Sequence, residues 1–208
     1  MKNPAVEHLL RCDKKLARVI KKVGSCPLKP RRGTQPWQAL VRSVAFQQLN
    51  GNAAETIFRR FLALFPKTKF PTPQQIVRAS DEKLRSAGLS RAKAAAIKDI
   101  ASKTIAGVVP DCRTISKFSD AEIIERLTTI RGVGPWTVEM LLMFTLGRPD
   151  VLPVTDYGVR SGFAVVHGLK ELPPPKELLA YGERWRPYRT TAAWYLWRAA
   201  DLAKEKAK

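Results

Sequence analysis

Apolar positions along this chain recur at three- and four-residue intervals, and alternation of the strand type is scarce, so the sequence reads as helix nearly throughout. His8, Leu9, Leu10, Leu16, Ala17, Val19 and Ile20 mark a first helix that ends near Gly24, before a loop punctuated by Pro27, Pro30 and Gly33. Trp37 to Phe46 and Ala53 to Phe65 read as two helices around a polar interruption, Gln47-Gln48-Leu49-Asn50-Gly51-Asn52, whose Asn and Gly favour a turn. Pro71-Thr72-Pro73 opens a short helix, Asp81 is the expected cap of another that stops at Gly88, and Ser90 caps a helix over 91–105. Ser119-Asp120 starts a helix through Leu127. Pro135 to Leu146 is the next, apolar at 136, 140, 141 and 144 and therefore expected to be buried. Thr155 or Asp156 caps a helix through Val166, the run Pro173-Pro174-Pro175 is a loop, and helices over 176–185 and 189–203 close the chain. The expectation is an all-α protein of about ten helices.

Between two of these helices lies L-T-T-I-R-G-V-G-P-W-T-V, Leu127 to Val138. An apolar helix end runs into Gly-x-Gly and directly into a second helix, the pattern of a helix-hairpin-helix spanning about 121–147. Gly132 and Gly134 suit a tight turn with positive φ and leave the backbone N–H groups open to close approach. Pro135 fits the first helical position, so the free amides there form an anion site suited to a DNA phosphate. The plainer reading is an ordinary αα turn.

Charge changes the picture more than composition does. The 208 residues carry 37 Lys and Arg against 18 Asp and Glu, a net charge of +19. Residues 1–60 alone hold 13 basic and 3 acidic side chains, interspersed among apolar positions rather than gathered in a tail, which describes a folded basic surface with a polyanionic partner. A merely basic soluble protein, or a ribosome-associated one, is the alternative. Cys12, Cys26 and Cys112 are widely spaced, without a C-x-x-C, so neither a zinc knuckle nor a disulfide framework is indicated and a reducing cytoplasm is expected. No secretory leader and no long apolar run suggests secretion or membrane insertion.

One carboxylate stands out. Asp156, in P-V-T-D-Y-G-V-R, follows Trp136 by twenty residues and lies beyond a Gly147/Pro149 helix stop. Asp is a preferred N-cap, and a helix start also favours the negative charge that stabilises a developing cation on a sugar; both roles stay open. Trp136, Trp194, Trp197, Tyr188 and Tyr195 serve either as core or as a stacking surface for an electron-deficient base. His8 and His167, the two histidines, sit in ordinary helical contexts, and serine–histidine or zinc chemistry finds no support.

The hairpin, the trailing aspartate and the C-terminal W-R-P-Y-R-x-x-A-A-W-Y-L-W together resemble the helix-hairpin-helix superfamily of DNA glycosylases, in particular its bacterial-type 3-methyladenine DNA glycosylase II members. S-V-A-F-Q-Q-L-N-G-N-A-A at Ser43 to Ala54, G-L-S-R-A-K at Gly88 to Lys93, I-R-G-V-G-P-W-T-V-E at Ile130 to Glu139 and R-P-D-V-L-P-V-T-D-Y-G-V-R at Arg148 to Arg160 fall in the family order. The resemblance implies a single 1–208 glycosylase domain with one lobe of about 1–35 plus 150–208 and another of about 36–149. It implies that Asp156 is the catalytic carboxylate and that Trp136, Trp197, Met140 and Tyr157 border the base pocket, with packing alone the alternative for Tyr157. Leu49, with Asn50 as neighbour, becomes the wedge that fills the gap left by a flipped nucleotide; a buried core leucine is the alternative. Gly132, Gly134, Trp136 and Thr137 become the backbone-binding hairpin. The carbonyls of Thr128, Ile130 and Val133 match a structural monovalent-cation site for Na+ or K+.

Departures from the family pattern refine this. Bifunctional members carry a lysine two residues beyond the second hairpin glycine, where this chain has Trp136, so no lyase activity is expected. No cysteine follows Asp156, so no iron–sulfur cluster is expected. About 35 residues precede the Trp37 helix, as in compact members without an N-terminal β-lobe, and Met140 stands where an aromatic can occur. The resulting expectation is a monomeric, cytoplasmic or nucleoid-associated, monofunctional enzyme of base excision repair. It requires no cofactor, has no membrane partner, and removes alkylated purines of the 3-methyladenine and 7-methylguanine type from double-stranded DNA. Action on deaminated or other neutral bases, or hairpin-mediated damage binding without catalysis, are the alternatives.

Overall fold

The computed structural model describes residues 3–31, 33–49 and 51–206. In chain order the helices are α1 (Pro4–Cys12), α2 (Lys14–Val23), α3 (Pro36–Phe46), α4 (Gly51–Ala63), α5 (Pro73–Arg78), α6 (Asp81–Ser86), α7 (Arg91–Ile105), α8 (Cys112–Ile115), α9 (Asp120–Leu127), α10 (Pro135–Leu141), α11 (Tyr157–His167), α12 (Pro175–Gly182) and α13 (Arg189–Lys206). A π turn over Leu142–Leu146 follows α10, and a 3₁₀ turn over Glu183–Trp185 follows α12. No strand occurs among the described residues, and no helix there is long and apolar enough to cross a membrane.

The helix count exceeds the expected ten for identifiable reasons. The first predicted helix is two, broken at Asp13, whose Oδ1 accepts the amides of Lys15 (3.0 Å) and Leu16 (2.9 Å) and so caps α2. Its Oδ2 accepts the Trp185 indole N–H at 3.0 Å, which satisfies a carboxylate only 3% exposed. Ser80, not Asp81, caps α6, through its hydroxyl to the Lys83 amide. The helix predicted to reach Leu146 leaves α-geometry after Leu141. Its buried side chains are Thr137, Val138 and Leu141, whereas the predicted apolar stripe at 136 and 140 stays at least partly exposed.

The chain divides into two compact units, Met1–Pro30 with Leu142–Lys208, and Arg31–Leu141. The second border precedes the expected 149/150 because Phe144 stacks on Trp197 and Thr190 binds the carbonyl of Arg148 and the amide of Val151.

In the first unit α11 and α13 form the main packing pair. Gly162 is where they meet most closely: a Cβ there would lie 1.8 Å from the Leu196 carbonyl oxygen, so only glycine allows the crossing. Leu16, Ala17 and Ile20 present the buried face of α2. Arg189, nearly buried, clamps Asp150 through Nε–Oδ1 (2.7 Å) and Nη2–Oδ2 (3.1 Å), and its Nη2 also reaches the Asp150 carbonyl at 2.9 Å. With Thr190 it fixes the loop leading to Asp156.

In the second unit Leu40, Val41 and Val44 of α3, Ala54, Phe58 and Phe61 of α4, and Ile97, Ile100 and Ala101 of α7 build the core. Phe58, Phe61, Phe65, Phe70 and Trp37 form a continuous edge-and-stack cluster with ring centroids 5.1–6.4 Å apart.

His167 closes α11 in the first unit, stacked on Phe163 (4.1 Å) and edge-on to Tyr181 (4.6 Å). Burial pushes its imidazole below the ordinary histidine range, with the Asp13 carboxylate 4.0 Å away opposing the shift. The native state therefore binds fewer protons than the unfolded chain, so its contribution is present above about pH 6.5 and is lost as the pH falls below that value. Urea unfolding at pH 7.5 and 5.5 is expected to show a lower midpoint in acid, a loss bounded for one proton by about 1.4 kcal/mol per pH unit. His167→Gln is expected to shrink that difference.

Candidate active site and nucleic-acid interface

The predicted residues fall on both units, and each half has its own construction. In the first unit Asp156 is the N-cap of α11: its Oδ1 accepts the Val159 amide at 2.8 Å. The same oxygen accepts the indole N–H of Trp197, from α13, at 2.8 Å. Cap and candidate catalytic group are thus one side chain, and one oxygen receives both donors. The Trp197 ring lies against Phe144, centroids 5.9 Å apart and planes 24° from parallel. Trp197 therefore acts first as an orienter of the carboxylate.

Gly158 makes that approach feasible. A Cβ at this position would stand 2.8 Å from Trp197 Cδ1 and 3.1 Å from both Asp156 Oδ1 and Trp197 Nε1. Gly158 and Gly162 are four residues apart and share a helix face, so α13 lies close along α11. The spacing Y-G-V-R-S-G was visible in the sequence as two small residues at i and i+4, but nothing local tied it to Trp197. Tyr157 is 66% exposed and packs little. Tyr195 is fully buried and donates its hydroxyl to the Gly24 carbonyl at 2.7 Å, a core role.

In the second unit the hairpin turn is tight and pinned. The Ile130 amide donates to Leu127, the Val133 amide donates to Ile130 (3.1 Å), and Gly132 takes φ 74°. Of the two hairpin glycines only Gly132 has the positive φ expected of both. Its missing side chain also faces α7: a Cβ would sit 2.9 Å from that of Ala96. One residue away the Arg131 amide donates to Asp99 Oδ2 at 2.8 Å, a second tie to α7. Gly134 differs, since a Cβ there meets nothing within 4 Å. Its backbone is open on that side.

Thr137, expected among the phosphate contacts, is 2% exposed; its amide donates to the Gly134 carbonyl (3.0 Å) and its hydroxyl accepts Gln47 Nε2 (3.3 Å). Its place is inside the hairpin. Trp136 is 39% exposed, and Met140, one turn on, shares its helix face.

Gln47 joins the hairpin to the turn after α3, also donating to the Gly132 carbonyl at 3.1 Å. Lys93 of α7 donates its ammonium to the carbonyls of Ala45 (2.9 Å) and Gln47 (2.6 Å) and so closes the end of α3; burial pushes its pKa down. Beyond this brace Gln48 takes φ 55°, unusual for a residue with a side chain, and Leu49 projects with 39% exposure. Leu49 is therefore not a core leucine. Asn50 lies outside the described residues. Sequence reasoning missed Lys93, Gln47 and Phe144, whose partners lie 40 to 90 residues away in the chain.

Among the described residues no group of three His, Cys, Asp or Glu is placed to hold a metal. A cavity of about 440 Å³ lined by Arg31, Thr34, Gln38, Arg42, Phe58 and Phe70 contains none of the predicted site residues.

Comparison with known proteins identifies the family. The model of the family described as HhH-GPD superfamily base excision DNA repair protein matches residues 41–187. The chain is 41% identical over 197 residues to DNA-3-methyladenine glycosylase 1 of Schizosaccharomyces pombe, covering 94% of this chain and 86% of the relative. Among solved structures, S. pombe 3-methyladenine DNA glycosylase (Mag1) in complex with abasic DNA superposes with a TM-score of 0.88 at 41% identity, covering 97% of this chain and 98% of the other. A DNA-3-methyladenine glycosidase from Bacillus halodurans gives 0.87 at 36% identity, covering 99% and 93%.

The glycines separate by their surroundings. Gly132→Ala is expected to cost about 1–3 kcal/mol through its positive φ and the Ala96 contact, and Gly162→Ala about 3 kcal/mol by overpacking. Gly134→Ala is expected to leave the denaturation midpoint unchanged; chemical denaturation of the three variants checks the order.

Proposed function

The chain belongs to the HhH-GPD superfamily of base excision DNA repair proteins, and on that footing we propose that it is a monofunctional DNA glycosylase that excises alkylated purines from duplex DNA. The observation that carries this reading is the Asp156 carboxylate at the start of α11, one oxygen held by the Trp197 indole and the Val159 amide.

Methylation at N3 or N7 makes a purine cationic and a good leaving group, so breaking its N-glycosidic bond needs little general acid. What the reaction needs is a fixed negative charge beside the sugar as it becomes an oxocarbenium ion, and orientation of the attacking water. Asp156 supplies that charge. Its preorganisation by two donors means it need not reorient when the cation develops. Trp136 and Met140 offer an aromatic and a polarisable face for the electron-deficient base after the nucleotide leaves the stack. Leu49, on the braced turn after α3, fills the vacated space in the duplex. The hairpin amides and the bare Gly134 backbone receive a phosphate, and the net charge of +19 adds sequence-independent affinity.

The position two residues past Gly134 holds Trp136, which cannot form a Schiff base, so the enzyme hydrolyses without a lyase step. The carbonyls of Thr128, Ile130 and Val133, neutral and hard, fit a monovalent cation better than a transition metal, and such an ion would stiffen the turn. It takes no part in bond breaking.

Wild-type protein is expected to release 3-methyladenine and 7-methylguanine from methylated duplex. Asp156→Asn is expected to lower the single-turnover rate by about 100-fold or more while keeping duplex affinity. Borohydride should trap no covalent adduct. Release of hypoxanthine without methylated purines would overturn the substrate class, and binding without any release would overturn the enzyme. Trp197→Phe removes the indole bond, and Gly158→Ala crowds it. Both are expected to slow excision about 10- to 100-fold, as for a hydrogen bond to a charged group, and to add little on top of Asp156→Asn.

A further inference from the structure

Five of the ten residues of α2 are cationic, and all five, Lys14, Lys15, Arg18, Lys21 and Lys22, are exposed, while Leu16, Ala17 and Ile20 are buried. Arg18 has cations at i−4, i−3, i+3 and i+4, so it sits at the centre of a single positive face. Each such pair opposes helix formation by about 0.2–0.5 kcal/mol, and Lys14 and Lys15 stand at the helix end where the dipole disfavours positive charge. The acid that precedes the helix, Asp13, is buried with both oxygens bonded, to the Lys15 and Leu16 amides and the Trp185 indole. None of the five forms an ion pair with a described residue; Lys15 donates to the His167 carbonyl at 3.4 Å. Elsewhere in the same unit Arg186 and Arg189 pair with Asp150 and Glu183, and Arg198 pairs with Asp201. The like-charge neighbours therefore oppose folding, offset in part by the helix dipole at Lys21 and Lys22 in the last turn, and a polyanion outside the protein would relieve them.

For α2, charge complementarity and the DNA-repair family of the chain point to duplex DNA as the polyanion. The helix C-cap, Gly24, accepts the Tyr195 hydroxyl, two residues before Trp197, which bonds Asp156. At the other end Lys15 reaches the last residue of α11. α2 is thus tied to α13 at its C-terminal end and to α11 at its N-terminal end. Ten helical residues span about 15 Å, comparable with the axial rise of four nucleotides on one strand.

We infer that this face of α2 is a second contact for the duplex backbone, apart from the hairpin. The inference rests on the glycosylase reading. Counterion release makes it measurable, because log K for binding falls with log salt by about 0.9 per phosphate neutralised.

The test compares the full-length protein with its Lys14→Gln/Arg18→Gln/Lys21→Gln/Lys22→Gln variant for binding a methylated duplex between 50 and 300 mM NaCl, about the range where such slopes are read. The variant's slope is expected to be shallower by about 2–3, and that of Lys21→Gln/Lys22→Gln alone by about 1–2. The double variant decides the matter if the fourfold one does not fold. Slopes equal to wild type would overturn the inference. Base release by the wild type is scored separately, so a protein that releases no methylated purine but shows the shallower slope sinks the enzyme reading and keeps the α2 contact.

Discussion

The close crossing of α11 and α13 is the constraint on which the rest of the site depends. Gly162 lets the Leu196 backbone come within reach of α11, and Gly158, one turn toward the helix start, gives the Trp197 indole room to reach Asp156. Without side chains at these two positions, α13 comes close enough for its tryptophan to donate to the cap oxygen of α11. The Asp150–Arg189 clamp and the Thr190 bonds hold the incoming loop, so the carboxylate is fixed from both sides along the chain.

The second unit solves a different problem by similar means. A turn proposed to enter or grip a duplex cannot be buried, yet it has to keep its shape. The hairpin is tied to α7 by Asp99 and by the glycine contact at Ala96, and the turn after α3 is tied to both by Lys93 and Gln47. What remains outward, Leu49, Trp136 and the bare backbone of Gly134, stands on a rigid support. Rigid support lowers the conformational cost of engaging DNA.

A single well-oriented carboxylate is enough for the proposed chemistry because the substrate supplies the other half of the driving force. A base that already carries a positive charge leaves easily, so neither a histidine nor a metal has to protonate or polarise it. The two histidines fit that economy: His167 is stacked inside the first unit and His8 lies against Tyr188, both structural.

Local physics explains what was legible in the amino-acid order. Periodicity, capping residues and proline placement gave nearly all the helices, the hairpin, the start of α11 at Asp156 and the basic character, because each depends on neighbours within a few positions. The misses were local competitions, as at Asp13, where a buried carboxylate splits a helix to cap the next and to satisfy an indole. The family pattern placed Asp156 and Leu49, and Trp197 among the aromatics, without their partners. Tertiary structure alone decided that Trp197 donates to Asp156 across 41 residues, that Thr137 faces inward, that only Gly132 bears the positive φ, and that Lys93 braces the turn before Leu49. Those outcomes depend on how closely separate helices approach, and that distance is set by the packing of side chains remote in the chain, which no short window of sequence encodes.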